Sequence, residues 1–215
     1  MKSFIRKKLL MLNIYIVRHG QDEDNQNGIL NGHRDMPLTE LGKTQAQQLA
    51  QKIKNIGILF DKAYSSPLQR AYITWKIITD ALSIDAPEQL DILIERDFGS
   101  MTGKAIQDIE ILCAPNIIKS KTVTYFLNPE RAETFPQVLR RAKQALTYIQ
   151  KKHKNGNILL TTHWDFGKML YTAYYGLSRT DTLVNFHFGN WEVLLLSLSI
   201  TEKEAHLFQT KQYNH

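Results

Sequence analysis

Five side chains stand where a phosphate ester could be bound and cleaved. Arg18 and His19 follow an apolar run, with Gly20 after them. Arg70 sits near the start of an amphipathic stretch. Glu95 and His163 each follow a further apolar run. Arginine grips phosphate bidentately through charge-assisted hydrogen bonds. An imidazole nitrogen can attack phosphorus and form a phosphohistidine. A carboxylic acid can protonate a departing alkoxide. A second histidine can neutralise charge on the equatorial oxygens. Phosphoryl transfer needs mainly positioning and positive charge.

These residues belong together only if the chain brings them to one edge. The pattern predicts strands over Leu12–Val17, Lys62–Ser65, Leu90–Ile94, Asn157–Thr162, Val193–Ser199 and Ala205–Gln209. It predicts a helix over Leu41–Asn55 with Thr39 as N-cap. A second opens with Ser66 as N-cap and Pro67 in its first turn. A third spans Pro136–Lys152, closed by Asn155-Gly156, and a fourth spans Asp165–Tyr175. The stretch from Glu95 to Thr134 reads as polar and irregular. Strands alternating with helices predict an α/β fold, a three-layer α/β/α sandwich on a mainly parallel sheet. Such sheets bind ligands beyond the carboxyl ends of their strands. Arg18, His19, Arg70, Glu95 and His163 all fall there.

The 215 residues fit a single domain over 12–215 with an amino-terminal extension over 1–11. Met1–Lys8 is basic and the next residues are apolar, as in a signal peptide. No small-x-small cleavage site follows, and the run passes directly into Arg18-His19-Gly20. Met11 is a second candidate start. The apolar run is also too short to span a bilayer as a helix. Cys113 is the only cysteine, so no internal disulfide can form, and a reducing, cytoplasmic setting is expected. A net charge of +6 favours anionic partners. The basic runs Arg6-Lys7-Lys8 and Lys151-Lys152-His153-Lys154 read as solvated faces, and no basic stripe interleaved with aromatics suggests nucleic acid.

Other phosphate chemistries fit poorly. Six places after Cys113 stands Lys119 where a cysteine phosphatase needs arginine. Asp22-Glu23-Asp24-Asn25-Gln26 starts like an aspartyl phosphatase loop and then departs from it. No zinc-ligand cluster of the H-E-x-x-H kind and no P-loop motif is present.

The ordered blocks resemble the histidine phosphatase superfamily, the phosphoglycerate mutase-like enzymes. Arg18-His19-Gly20 is similar to its signature, and Asn25 falls where asparagine is usual. Gly32 to Gly42 resembles G-x-x-D-x-P-L-T-x-x-G, followed by Gln45-Ala46. Ser65-Ser66-Pro67-Leu68-Gln69-Arg70-Ala71 resembles S-S-x-L-x-R-A. Leu93-Ile94-Glu95-Arg96-Asp97-Phe98-Gly99 resembles L-x-E-x-x-x-G. Glu133-Thr134 with Arg141 is similar to an E-S block with a downstream arginine, and Thr162-His163 to the S-H block.

The resemblance implies His19 as nucleophile and Glu95 as proton donor, then base. It implies Arg18, Asn25, Arg70 and His163 as phosphate-binding residues, with no metal and no other cofactor. It implies a phosphatase acting on a small phosphorylated metabolite; the charge pattern and the short apolar run already lead us to expect no nucleic-acid or membrane partner. Self-association into a homodimer is left open. A cofactor-dependent phosphoglycerate mutase is the alternative, although the F-T-G-W stretch of mutases is lacking after Asn25. A non-catalytic phosphate- or phosphopeptide-binding module is the other. Two departures bear on substrate choice: Trp164 stands where glycine is usual, and Lys168 where arginine is common. The remaining histidines, His33, His153, His187, His206 and His215, read as structural or surface residues, with His187 and Asn190 near enough to a strand start to approach the pocket.

Overall fold

The structure, a computed structural model, describes residues 11–84 and 88–210. The expected extension, Met11 apart, lies outside the described residues, as do Arg6-Lys7-Lys8 and His215.

Strand β1 (Leu12–Arg18) is apolar on both sides, which suits a strand covered on both faces. Ile14 and Ile16 point into one apolar cluster, Tyr15 and Val17 into another. It lies near the middle of a six-stranded sheet with β2 (Lys62–Ser65), β3 (Glu88–Gln89), β6 (Gly156–Thr162), β7 (Val193–Leu196) and β8 (His206–Phe208). The order is β3-β2-β6-β1-β7-β8. Only β7 runs against the rest, pairing antiparallel with both β1 and β8.

Helices cover both faces. On one side lie α2 (Glu40–Ile56) and α3 (Gln69–Leu82), whose Leu49, Ala50, Ile53, Trp75 and Ile78 meet Tyr15 and Val17. On the other lie α5 (Phe135–Lys152) and α6 (Trp164–Tyr175), whose Val138, Ala142, Phe166 and Met169 meet Ile14 and Ile16. This is the expected three-layer α/β sandwich on a mostly parallel sheet.

The polar middle is more ordered than its composition suggests. It holds the short helix α4 (Ile109–Cys113) and an antiparallel hairpin of β4 (Ile117–Lys119) and β5 (Thr124–Phe126). Ile109 and Phe126 join Leu30, Phe98 and Met101 in a small apolar cluster, and the short polar helix α1 (Glu23–Asn27) follows β1. A further helix, α7 (Arg179–Asn185), follows α6 and was not expected.

Several boundaries need correction. Leu90–Ile94 is not a strand. Its partner β2 stops at Ser65, so after Leu90 N–H bonds the Ser65 carbonyl no ladder remains. The backbone closes on itself as a 3₁₀ turn over Asp91–Leu93 and drops Leu93 into the core. The last two strands are shorter than predicted, Val193–Leu196 and His206–Phe208 in place of Val193–Ser199 and Ala205–Gln209. Ser66 does not cap α3, because its hydroxyl accepts from Leu68 N–H and contacts His163. Instead Asp35 accepts from Gln69 N–H, capping the helix from a distant loop. Thr39 does cap α2, accepting from Gly42 N–H. Asn155-Gly156 does not end α5, which closes at His153. Gly156 opens β6 with φ of 95°, and a Cβ there would lie 2.4 Å from an Asp61 carboxylate oxygen.

One backbone crossing positions everything that follows. A Cβ on Gly42 would lie 2.0 Å from the Gln21 carbonyl oxygen, and one on Gly20 would lie 2.3 Å from the Gly42 carbonyl oxygen. The first turn of α2 thus presses backbone to backbone on the loop after β1. Gly42→Ala is expected to lower stability by about 2–3 kcal/mol, since neither backbone can yield cheaply. Urea unfolding would show a clear fall in midpoint, whereas the exposed Gln48→Ala would move stability by no more than about 0.5 kcal/mol.

Candidate active site

Parallel register delivers the two histidines side by side. Arg18 on β1 pairs with Thr162 on β6, so His19 and His163 leave the sheet at the same end. His19 N–H bonds the Thr162 carbonyl at 3.1 Å, and the two imidazoles lie 5.1 Å apart between centroids.

The tautomer of His19 follows from its neighbour. Its Nδ1 lies 2.7 Å from the Gly20 carbonyl oxygen, which can only accept. Nδ1 therefore carries the proton, and the lone pair belongs to Nε2. Burial, then the charges of Arg70 and Arg18, hold the imidazole well below its ordinary pKa. His163 is displaced the same way by burial, Arg70, His19 and Arg18. Its Nε2 lies 2.7 Å from Ser66 Oγ, which already accepts from Leu68 N–H. The serine proton is thus free to go to Nε2, leaving Nδ1–H, buried without a partner, as a donor.

Both arginines are buried. Arg18 donates to the Phe188 carbonyl and lies 4.5 Å over the Trp164 ring, and burial pulls its pKa down to about 10. Arg70 donates to the carbonyls of Arg34 (2.6 Å) and Gly32 (2.8 Å), with Nε 3.3 Å from Asp22. Asp22 also accepts from Asn31 and caps α1 through Asn25 N–H. Burial raises its pKa, against the opposing charge of Arg70. The acidic stretch Asp22-Glu23-Asp24 therefore divides: Asp22 braces Arg70, Asp24 pairs with Arg34 at 2.8 Å, and only Glu23 is exposed.

Glu95 reaches the start of α6. Its Oε1 accepts from Arg96 and Phe166 N–H, and its Oε2 from Asp165 N–H. Burial and the nearby Asp165 charge raise its pKa, against those backbone donors. Arg141, bidentate with Glu133, donates to the carbonyls of Ile92, Ile94 and Glu95. The Glu133-Arg141 block thus holds the turn that aims Glu95. His33 adds a hydrogen bond to the Glu95 carbonyl.

Arg18, His19, Asn25 and Glu95 line one cavity, walled on its far side by Phe98, Ile109, Tyr125, Phe126 and Trp164. Arg70 and His163 do not line it, although the His163 ring lies 5.1 Å from that of His19. The space free for water is about 20 Å³, room for one or two molecules. Asn190, which the sequence placed near enough to a strand start to approach the pocket, donates from Nδ2 to the His19 carbonyl (2.9 Å) and to Asn25 Oδ1 (3.2 Å). Asp22 and Asn31 are further residues that sequence reasoning did not single out as ligand braces; the helix-capping spacing of Asp22 was the available signal.

The sequence profile of the histidine phosphatase superfamily (branch 1) matches residues 14–211. The chain belongs to that superfamily. It is 28% identical over 167 residues to phosphoserine phosphatase 1 of Hydrogenobacter thermophilus, covering 78% of each chain. It is 29% identical to the 2,3-bisphosphoglycerate-dependent phosphoglycerate mutase of Parvibaculum lavamentivorans, covering 79% of this chain and 83% of that one. Among solved structures, a mycobacterial glucosyl-3-phosphoglycerate phosphatase complexed with VO3 superposes with a TM-score of 0.75 at 23% identity, covering 88% of this chain and 94% of that one. Phosphatases and mutases of phosphorylated metabolites thus surround this member. No helix among the described residues is long and apolar enough to cross a membrane.

The cationic surroundings make a direct prediction. In the ligand-free protein, NMR titration should find both His19 and His163 still neutral at about pH 6, where an ordinary imidazole is largely protonated. Ring resonances that titrate at the usual imidazole pKa would contradict the burial and charge described here.

Proposed function

We propose that this member is a phosphatase that hydrolyses a small phosphorylated metabolite through a phosphohistidine, without a metal, in the cytoplasm. The observation that carries the reading is the His19 imidazole, proton-locked at Nδ1 and unprotonated at Nε2, facing a cavity shared with Arg18, Asn25 and Glu95.

Nε2 of His19 attacks phosphorus in line, and the bond from phosphorus to the ester oxygen breaks. Glu95 gives its proton to that oxygen. Arg18 and Asn25 hold the equatorial oxygens, and His163, beside the His19 ring, offers its unpartnered Nδ1–H. Arg70 adds its field to His19 and Glu95, both of which feel its charge. Water then attacks the phosphohistidine while Glu95 takes a proton from it, the bond from phosphorus to Nε2 breaks with its electron pair returning to His19, and phosphate leaves. Burial serves both halves of the cycle: it keeps His19 unprotonated and Glu95 protonated for the attack, and the raised basicity of Glu95 helps it take the proton of water in the second half.

The test is turnover of p-nitrophenyl phosphate with and without EDTA, beside His19→Ala. Activity that survives EDTA and disappears in the variant supports the reading. Activity abolished by EDTA points to a metal, and phosphate binding without turnover points to a binding module. Conversion of 3-phosphoglycerate dependent on 2,3-bisphosphoglycerate would replace hydrolysis by transfer. The pH profile follows from the two shifts. The rate falls on the acid side only below the ordinary imidazole range, because His19 is displaced downward. It falls on the alkaline side as Glu95 loses its proton, above the ordinary carboxylate range. The optimum is mildly acidic to neutral. Glu95→Gln should slow alkyl phosphates by about a hundredfold or more. It should slow p-nitrophenyl phosphate much less, because p-nitrophenolate needs little protonation to depart.

A further inference from the structure

Two departures from the family pattern, Trp164 and Lys168, meet at one place. Lys168 is buried, with 1% of its surface exposed. Its ammonium hydrogen-bonds Tyr125 Oη at 2.6 Å and lies 4.9 Å from the Trp164 ring centre. No carboxylate lies within ion-pair distance of it among the described residues. The same ring carries the Arg18 guanidinium at 4.5 Å. Two buried cations thus share one indole, an attractive but weak substitute for counter-charge.

Tyr125 and Trp164 form the wall between the His19 cavity and a second one of about 240 Å³. That neighbour is lined by Lys168, Lys121 and His187, with Ser120, Thr122 and Asn185, and by no Asp or Glu. Burial of an ammonium with one hydrogen bond leaves donor capacity that an anion could satisfy.

We propose that this second cavity is an anion site, in which Lys168, steadied by Tyr125 and assisted by Lys121 and His187, takes a carboxylate or phosphate group. The group belongs either to the far end of the substrate or to a separate small anion. The inference rests on the preceding reading only in placing a phosphomonoester beside His19. Arg18 and Lys168 lie 4.5 and 4.9 Å from the same Trp164 ring centre, so the two cations stand on the scale of one small ligand charged at both ends. Burial brings the Lys168 pKa down to about 7, with Arg18 lowering it and Asp165 and Glu192 raising it. An anion held there keeps the lysine charged.

Calorimetric titration of the His19→Ala protein, which cannot consume its ligands, tests the site. sn-Glycerol 3-phosphate and 3-phosphoglycerate share a chain length and differ in the carboxylate. 3-Phosphoglycerate is expected to bind about tenfold more tightly. That preference should vanish with Lys168→Met and persist with Lys168→Arg. It should also decline as pH rises through about 7, and that decline should be much reduced in Lys168→Arg, whose guanidinium stays charged while Lys121, His187, Tyr125, Arg18, Asp165 and Glu192 remain in place. Malonate, which carries no phosphate, distinguishes the sources. Malonate binding that depends on Lys168, without a preference between the paired ligands, identifies a free anion. Equal binding of the pair together with no Lys168-dependent malonate binding overturns the site. Failure of both phosphorylated ligands to bind, with malonate still held through Lys168, overturns the phosphatase reading and leaves the anion site standing.

Discussion

The hydrogen bond from His19 Nδ1 to the Gly20 carbonyl decides which nitrogen can meet a substrate. An imidazole with its proton on the other nitrogen would have no lone pair facing the cavity. The bond depends on a loop that cannot drift. Gly20 N–H is tied to Thr74 Oγ1 on α3, Gln21 N–H to Gln45 Oε1 on α2, and the Gly42 backbone presses on both residues. Two helices that never touch the cavity therefore set the state of the reactive group. Their amphipathic faces pack on the sheet, and that packing is what makes the loop rigid.

The second organising fact is charge held without water. Arg18, Arg70, Arg96 and Lys168 are all buried near Asp22, Glu95, Asp165 and Glu192. Such groups are costly to desolvate unless each has a geometric partner. Arg96 has one in Asp165 at 2.7 Å, and Arg70 has two carbonyls and Asp22. The donors are already oriented before any ligand arrives, so little reorganisation is left for the moment of reaction. The overall charge of +6 is a poor guide to this, because what matters is which cations are fixed and dry.

The sheet and its helices were legible because buried parallel strands are continuously apolar and helix faces repeat on their own period. Parallel strand ends converge, which is why Arg18, His19 and His163 could be placed at one edge of the sheet from position alone. Leu90–Ile94 misled because an apolar run looks alike whether or not a partner strand extends beside it. Ser66 misled because its hydroxyl was drawn to His163, a contact no local spacing reveals. The bracing of Arg70 by Asp22 and the bond from Asn190 to the His19 carbonyl were hidden for the same reason: each acts on residues far along the chain. Pro67-Leu68 shows the complement, a helix start whose cap, Asp35, comes from another loop entirely.

Asn190 lies 171 residues beyond the His19 carbonyl it binds. On a ribosome, the first strand and its histidine emerge long before that amide exists. A nascent chain or a fragment ending short of β7 would carry the nucleophile yet lack the clamp on its backbone, and β1 would lack an edge partner. Competence therefore arrives late in synthesis, when the carboxyl-terminal segment docks, and a prematurely terminated product would be expected to stay inert.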